Sequence, residues 1–256
     1  MAQIIAITNQ KGGVGKTTTA INLTASLALK KLKVLLIDSD PQGNATTGSG
    51  LDKNQFELGL QHVLLKQCPI ENAIINTAHG YDIIASNADL TVAEVQLMQQ
   101  KQNPQLLQQL LVPIQSAYDY IIIDCPPALN TLTLNGLVAA NQLVIPMQCE
   151  YFALEGLASL MSTMQQVQQY LNPKLSLLGI LRTMFDPRNR LTSEVSKQLL
   201  QHFPNKVFKI TIPKNVKLAE APSHGLPVSI YAKYSEGTKA YMVLAEEITS
   251  KEEACA

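Results

Sequence analysis

Lys11-Gly12-Gly13-Val14-Gly15-Lys16-Thr17-Thr18 sets two lysines and two hydroxyls around three glycines. This combination suits phosphate chemistry. Glycines admit turns that aim backbone N–H groups at one anion and let it come close. A helix starting here adds the favourable partial charge of its N-terminus. Lys16 is the side chain to reach the β- and γ-phosphates, and Thr17 offers a hydroxyl to Mg²⁺. The standard pattern G-x-x-x-x-G-K-[S/T] is incomplete, because Gln10 stands at its first glycine and Lys11 has entered the loop.

Two further carboxylate groups follow apolar runs. Asp38-Ser39-Asp40-Pro41 closes Val34–Ile37, and Asp124-Cys125-Pro126-Pro127 closes Tyr120–Ile123. In an open α/β sheet the carboxyl ends of the strands line the ligand crevice, which would bring these aspartates to the glycine loop. Two aspartates two residues apart suit separate tasks, one holding Mg²⁺-bound water and one orienting an attacking water; the plainer role is to cap the turn at Pro41. An apolar strand ending in aspartate, as at Asp124, is the arrangement that contacts Mg²⁺ directly or through water.

The elements that must position these groups are legible as short, nearly continuous apolar runs: Ile4–Thr8, Lys33–Asp38, Tyr81–Ala85, Tyr118–Asp124, Gln142–Met147, Ser176–Arg182 and Val207–Ile212. Continuous apolarity marks strands buried on both faces, as in a parallel sheet. Helical patterns lie between them, over Thr18–Leu32 and Leu154–Tyr170, and a Gln- and Leu-rich stretch from Val92 to Gln115 reads as two amphipathic helices broken at Asn103-Pro104. The fold class predicted is α/β: a doubly wound, mostly parallel sheet flanked by helices, one P-loop domain over residues 1–256. No separate helix-turn-helix domain is expected before the first strand.

Composition narrows the function. With 46% hydrophobic and 16% charged residues among 256, the chain can bury a sizeable core. No run of 18 apolar residues and no basic-then-apolar leader is present, so a cytoplasmic protein is expected. Cys68, Cys125, Cys149 and Cys255 have no C-x-x-C spacing and read as reduced thiols. The four histidines are scattered, which disfavours a metal site built by protein alone. Net charge is zero, yet residues 182–239 hold ten Lys/Arg against four acids, a surplus of six. A basic segment on an otherwise acidic chain is a candidate polyanion-facing surface, or simply a solvated lysine-rich one.

Taken together, Lys11–Thr18, Asp38–Asn44 (D-S-D-P-Q-G-N), Ile121–Pro127 (I-I-I-D-C-P-P) and Ile212–Gly225 (I-P-K-N-V-K-L-A-E-A-P-S-H-G) resemble the deviant-Walker ATPases, specifically the ParA/Soj partitioning family, over essentially the whole chain. The resemblance implies a Mg²⁺-dependent ATPase, cycling between ATP and ADP, that dimerises with ATP. In that family Lys11 reaches across the dimer to the partner's ATP. Gly12, Gly13, Val14, Gly15, Lys16, Thr17 and Thr18 cradle the phosphates. Asp40 supports hydrolysis, while Thr17, Asp38 and Asp124 support the metal. Pro213 and Asn215 lie against the adenine. Arg188, with Lys217 or Lys214, matches positions where relatives contact DNA without sequence preference. A ParB-like centromere-binding partner stimulates slow hydrolysis, and the protein is nucleoid-associated in the cytoplasm.

Three rivals share the scaffold. A MinD-like membrane positioner would end in a basic amphipathic helix, whereas Glu246–Ala256 is acidic and poor in apolar residues. An iron–sulfur or metabolic enzyme would need a second cluster ligand beside Cys125, and Cys149 is expected at the wrong end of another strand. A positioner of other cargo would carry the same ATPase and DNA-binding parts.

Overall fold

The computed structural model describes residues 1–99 and 103–253. Residues 100–102 of the glutamine-rich stretch, and Cys255 with the end of the acidic tail, lie outside the described residues. Among the described residues eight strands make one sheet: β1 Gln3–Ile7, β2 Val34–Asp38, β3 Ile74–Asn76, β4 Asp82–Ile84, β5 Tyr120–Asp124, β6 Gln142–Gln148, β7 Ser176–Phe185 and β8 Val207–Pro213. Their spatial order is β3-β4-β2-β5-β1-β6-β7-β8, and every pairing is parallel except β3 with β4.

Why the runs are continuously apolar is visible in the central strands. Ile4 and Ala6 of β1 enter one hydrophobic cluster, and Ile5 and Ile7 enter the other, on the opposite face. Leu35 and Ile37 alternate with Val34 and Leu36 in β2, and Ile121 and Ile123 with Tyr120 and Ile122 in β5. Side chains alternate as in any strand, but both faces are covered, so both sets must be apolar. Helices Lys16–Leu29 and Glu236–Glu253 pack on one face, the latter through Tyr241, Leu244, Ala245 and Ile248. Helices Asp89–Gln99, Leu106–Leu111, Thr131–Ala139 and Ala153–Tyr170 cover the other.

All seven predicted runs form strands. β3 carries no such run: it is three residues long, half-buried and antiparallel at the sheet edge, where one face can stay wet. The first helix spans Lys16–Leu29 rather than Thr18–Leu32. It starts at once after Gly15, whose φ is 84°, and stops where Lys31 takes a φ of 65°. The Val92–Gln115 stretch does contain two helices, but the first begins at Asp89, where Asn87 Oδ1 accepts the Asp89 N–H at 3.0 Å. The second follows Asn103, whose Oδ1 accepts the Gln105 N–H at 2.9 Å. No described helix is long and apolar enough to cross a membrane. The apolar stripe of Glu236–Glu253 is already used in the core.

Candidate nucleotide site at the carboxyl edge of the sheet

The loop after β1 is moored to its neighbours. Asn9 Nδ2 donates to Pro146 O at 2.8 Å, and Asn9 Oδ1 accepts the Lys11 N–H at 3.0 Å. Thr183 Oγ1 on β7 donates to Val14 O at 2.8 Å. Gly13 and Gly15 occupy the left-handed region, at φ 75° and 84°, where a side chain would be strained. No side chain caps helix Lys16–Leu29, so its first N–H groups point into the loop unclaimed by a capping side chain. That is a ready anion site.

Lys16 is almost fully buried, and its Nζ donates to Lys11 O at 3.1 Å. Burial pulls its ammonium below the usual lysine range, while the Asp124 and Asp40 carboxylates pull the other way. Across from it, β2 and β5 place Asp38 and Asp124 in register, both wholly buried. Asp38 Oδ2 accepts from Thr46 N and Thr46 Oγ1, each at 2.8 Å, and its Oδ1 from Asp40 N at 3.2 Å. Burial still pushes its carboxyl up to about 6. Asp124 is raised well above the ordinary carboxylate range, first by burial and then by Asp38, with Thr17 and Lys16 countering only in part. Neither Asp124 oxygen makes a well-formed hydrogen bond.

Two buried carboxylate oxygens with no well-formed hydrogen bond are rare, and the Thr17 hydroxyl offsets their burial only in part. With the Thr17 hydroxyl they form a hard-oxygen donor set of the kind that suits Mg²⁺. Among the described residues no cluster of three or more His, Cys, Asp or Glu is arranged to hold a metal alone. A cation here would therefore need nucleotide and water oxygens as well, which is how Mg²⁺ is ordinarily held. Asp38 is already occupied by Thr46 and Asp40, so it orients this edge, and Asp124 is the carboxylate left open. Asp40 is nearly buried, and its Oδ1 accepts the Gln42 N–H at 2.9 Å.

Beside the loop lies a cavity of about 340 Å³ lined by Gly15, Thr18, Ile212, Pro213, Asn215 and Tyr241. Its walls are largely apolar, as a flat heteroaromatic ring requires. Asn215 Oδ1 caps the next short helix, accepting the Lys217 N–H at 2.9 Å. The cap fixes the Asn215 amide in orientation, with its N–H₂ not engaged by that bond.

The basic stretch is less positive outside than its count implies. Arg182 is buried, donating to Ser196 Oγ at 2.9 Å and to Phe208 O and Lys209 O at 2.9 and 3.1 Å. It ties β7 to β8 and helix Arg190–His202 and cannot meet a polyanion. Arg188 is 88% exposed but forks onto Asp186, at 2.9 and 2.8 Å, and holds that carboxyl down to about 2. Lys217 pairs with Glu220 at 2.9 Å and lies over the Tyr231 ring. Lys214 is exposed.

The structure brings together Lys11–Thr18, Asp38, Asp40 and Asp124 and sets Pro213 and Asn215 beside them. Thr46, Thr183 and Glu150 were not singled out from the sequence. Glu150 pairs with Lys11 Nζ; a lone glutamate in a loop carries no signal without its partner. Cys149 requires a correction: it follows β6 and so sits at the carboxyl edge, the same edge as Cys125, because β1, β5 and β6 all run parallel. Both thiols are buried, which pushes Cys149 up to about 11 and Cys125 higher still.

A family model described as an AAA domain matches residues 2–177. The chain is 46% identical to "Chromosome partitioning protein ParA" of Caulobacter vibrioides, over 98% of this chain and 95% of that protein. It is 45% identical to "Sporulation initiation inhibitor protein Soj" of Bacillus subtilis, over 98% and 99%. Among solved structures, a cobyrinic acid a,c-diamide synthase of Mycobacterium smegmatis, with bound ATP analogue and magnesium, is 32% identical with a TM-score of 0.88, covering 100% of this chain and 98% of that one.

Proposed function

Because this chain belongs to the ParA/Soj family of chromosome-partitioning ATPases, we propose that it is an ATP-switched dimer that binds DNA without sequence preference and drives segregation of a chromosome or plasmid. The observation that carries the nucleotide part is the buried Asp124 carboxylate, without a well-formed hydrogen bond, beside a glycine loop whose helix N-terminus lacks a side-chain cap.

In this reading the loop N–H groups and Lys16 hold the phosphates, and Asn215 and Pro213 bind the base in the 340 Å³ cavity. Mg²⁺ would be held by Thr17 and Asp124 together with the nucleotide, and supplies charge neutralisation at the β- and γ-phosphates. Lys16 leaves Lys11 O for a phosphate oxygen, a charge-assisted bond far stronger than the one it gives up. Asp40 orients the attacking water; its fixed carboxylate holds it within reach of the γ-phosphate, and positioning is most of what such hydrolysis needs. Asp38 keeps Asp40 and Thr46 in place. Lys11 completes the partner's site, so a dimer is the active form. No covalent intermediate is involved.

The DNA face combines Arg188, Lys214 and Lys217. Phosphate neutralisation is all that non-specific binding requires, and doubling a weak patch in the dimer makes affinity depend on ATP. A ParB-like protein would act on this dimer to speed hydrolysis, and the ATP form would reside on the nucleoid. The whole chain would act as one P-loop domain.

The test is binding to arbitrary-sequence duplex DNA with ATP, ADP or no nucleotide, for the wild type and Arg188→Glu. Salt-sensitive binding seen only with ATP and lost in the variant supports the reading. DNA affinity indifferent to nucleotide, or absent beside intact ATPase activity, overturns the DNA role.

A further inference from the structure

Lys11 is proposed above to act on a partner's nucleotide, yet in this structure its ammonium is held within its own chain. Nζ pairs with a carboxylate oxygen of Glu150, in the turn between β6 and helix Ala153–Tyr170. The two side chains are 44% and 53% exposed, so the pair sits at the mouth of the site rather than in the core. We infer that Glu150 is a latch that parks Lys11 in the nucleotide-free monomer and must release it before two chains can share ATP. This rests on the trans role of Lys11.

The backbone geometry makes the latch possible. Glu150 is fixed at both ends of its turn: its N–H donates to Gln148 O at 3.0 Å, and its carbonyl accepts the Ala153 N–H at 3.0 Å. The Lys11 backbone is equally fixed, its N–H on Asn9 Oδ1 at 3.0 Å and its carbonyl receiving Lys16 Nζ at 3.1 Å. With both backbones fixed, the contact opens and closes by rotamer changes of the two side chains. The next two residues, Tyr151 and Phe152, are 74% and 68% exposed. With both neighbours and the pair itself substantially exposed, the lysine has a solvent-facing route out of the contact.

Lys11 also links the latch to nucleotide. Its carbonyl holds Lys16 while its ammonium holds Glu150. A phosphate that captures Lys16 removes one of these contacts and brings a competing anion to the loop. An exposed ion pair biases an equilibrium by about two- to fivefold. That is enough to set the ATP level at which dimers form, and weak enough for nucleotide to override.

The test uses the full chain and Glu150→Gln, which keeps the shape and removes the charge. Nucleotide-free protein is briefly labelled with an amine-acylating reagent, and Lys11 is compared with exposed Lys31 by mass spectrometry. Dimer formation is then titrated with a non-hydrolysable ATP analogue by sedimentation. The latch requires about two- to fivefold more labelling of Lys11, relative to Lys31, in the variant, and dimers at correspondingly lower nucleotide. Equal labelling in both proteins overturns it. Increased labelling with an unchanged or higher nucleotide requirement overturns its control of pairing. Increased labelling with no dimers in either protein leaves the parked lysine in place and instead sinks the trans role.

Discussion

Asp38 and Asp124 are register partners on adjacent parallel strands, both fully buried, and only one of them has its oxygens satisfied. Asp38 accepts three hydrogen bonds from Thr46 and Asp40. Asp124 has no well-formed one and stands beside a second carboxylate. This asymmetry separates a carboxylate whose burial is offset by hydrogen bonds from one whose burial is not, and it sets the first expectation.

In nucleotide-free protein Asp124→Asn is expected to raise Tm at neutral pH. A carboxyl whose folded pKa is raised contributes its stability below the unfolded value near 3.8 and loses it as pH rises through the raised value. For Asp38 that window runs from 3.8 to about 6. The asparagine variant should therefore match the wild type near pH 4 and exceed it by about 3–6 °C at pH 7–8, taking about 1–2 kcal/mol for a buried charge relieved. Mg²⁺ with ATP should stabilise only the wild type. Thermal melts across pH decide this, and a variant less stable at pH 8 than at pH 4 relative to wild type would refute it.

Lys16→Ala should lose nucleotide without losing the fold. Its buried ammonium is held below the normal range mainly by burial, so at neutral pH the charge is a cost to folding. Titration calorimetry should show ATP affinity reduced at least about tenfold to a hundredfold, the worth of a charge-assisted contact, with Tm unchanged or higher. A large fall in Tm would mean that Lys16 is structural first.

Asp40→Ala is expected to bind ATP and to slow phosphate release by about a hundredfold, as loss of a group that positions the attacking water does. ATP dimers should then persist on DNA. The Gln42 N–H loses its acceptor, so a modest loss of stability accompanies the change. Single-turnover hydrolysis at wild-type rate would show the role to be misassigned.

Asp186→Asn should strengthen DNA binding with ATP by a few-fold, since Asp186 occupies the Arg188 guanidinium. Arg188→Glu should lower the slope of log affinity against log salt by about two per dimer, one phosphate contact for each chain. An Asp186→Asn protein that binds DNA more weakly would show that the fork orients Arg188 instead of competing for it.

Gly179→Ala should destabilise the fold by about 1–3 kcal/mol, the usual range for overpacking. A Cβ there would lie 2.6–2.9 Å from three atoms of the buried Phe208 ring. The ring belongs to β8, is fully buried and has the Lys251 ammonium over it at 4.2 Å, so it has little room to yield. Urea unfolding measures the loss directly, and an unchanged midpoint would show that the two outer strands can shift.

Much of this was legible in the chain. Seven strands could be read because burial on both faces imposes uninterrupted apolarity, a pattern few other environments require. The glycine loop and the aspartates closing two strands could be read because phosphate chemistry restricts residue type and spacing tightly. β3 could not, since three half-buried residues at an edge are under no such restriction. The inward turn of Arg182 could not either: it depends on Ser196 Oγ and two carbonyls at Phe208 and Lys209, contributed from other elements.

The sequence by itself determined the type of fold, the glycine loop after the first strand and the aspartates that close two others, because local pattern and side-chain chemistry suffice for these. Only the tertiary structure decided which carboxylate lacks a well-formed hydrogen bond, which cations face outward, and that Lys11 pairs with Glu150, 139 positions away. Those outcomes depend on distances between segments brought together by strand order, and on burial, which no local stretch of the chain encodes.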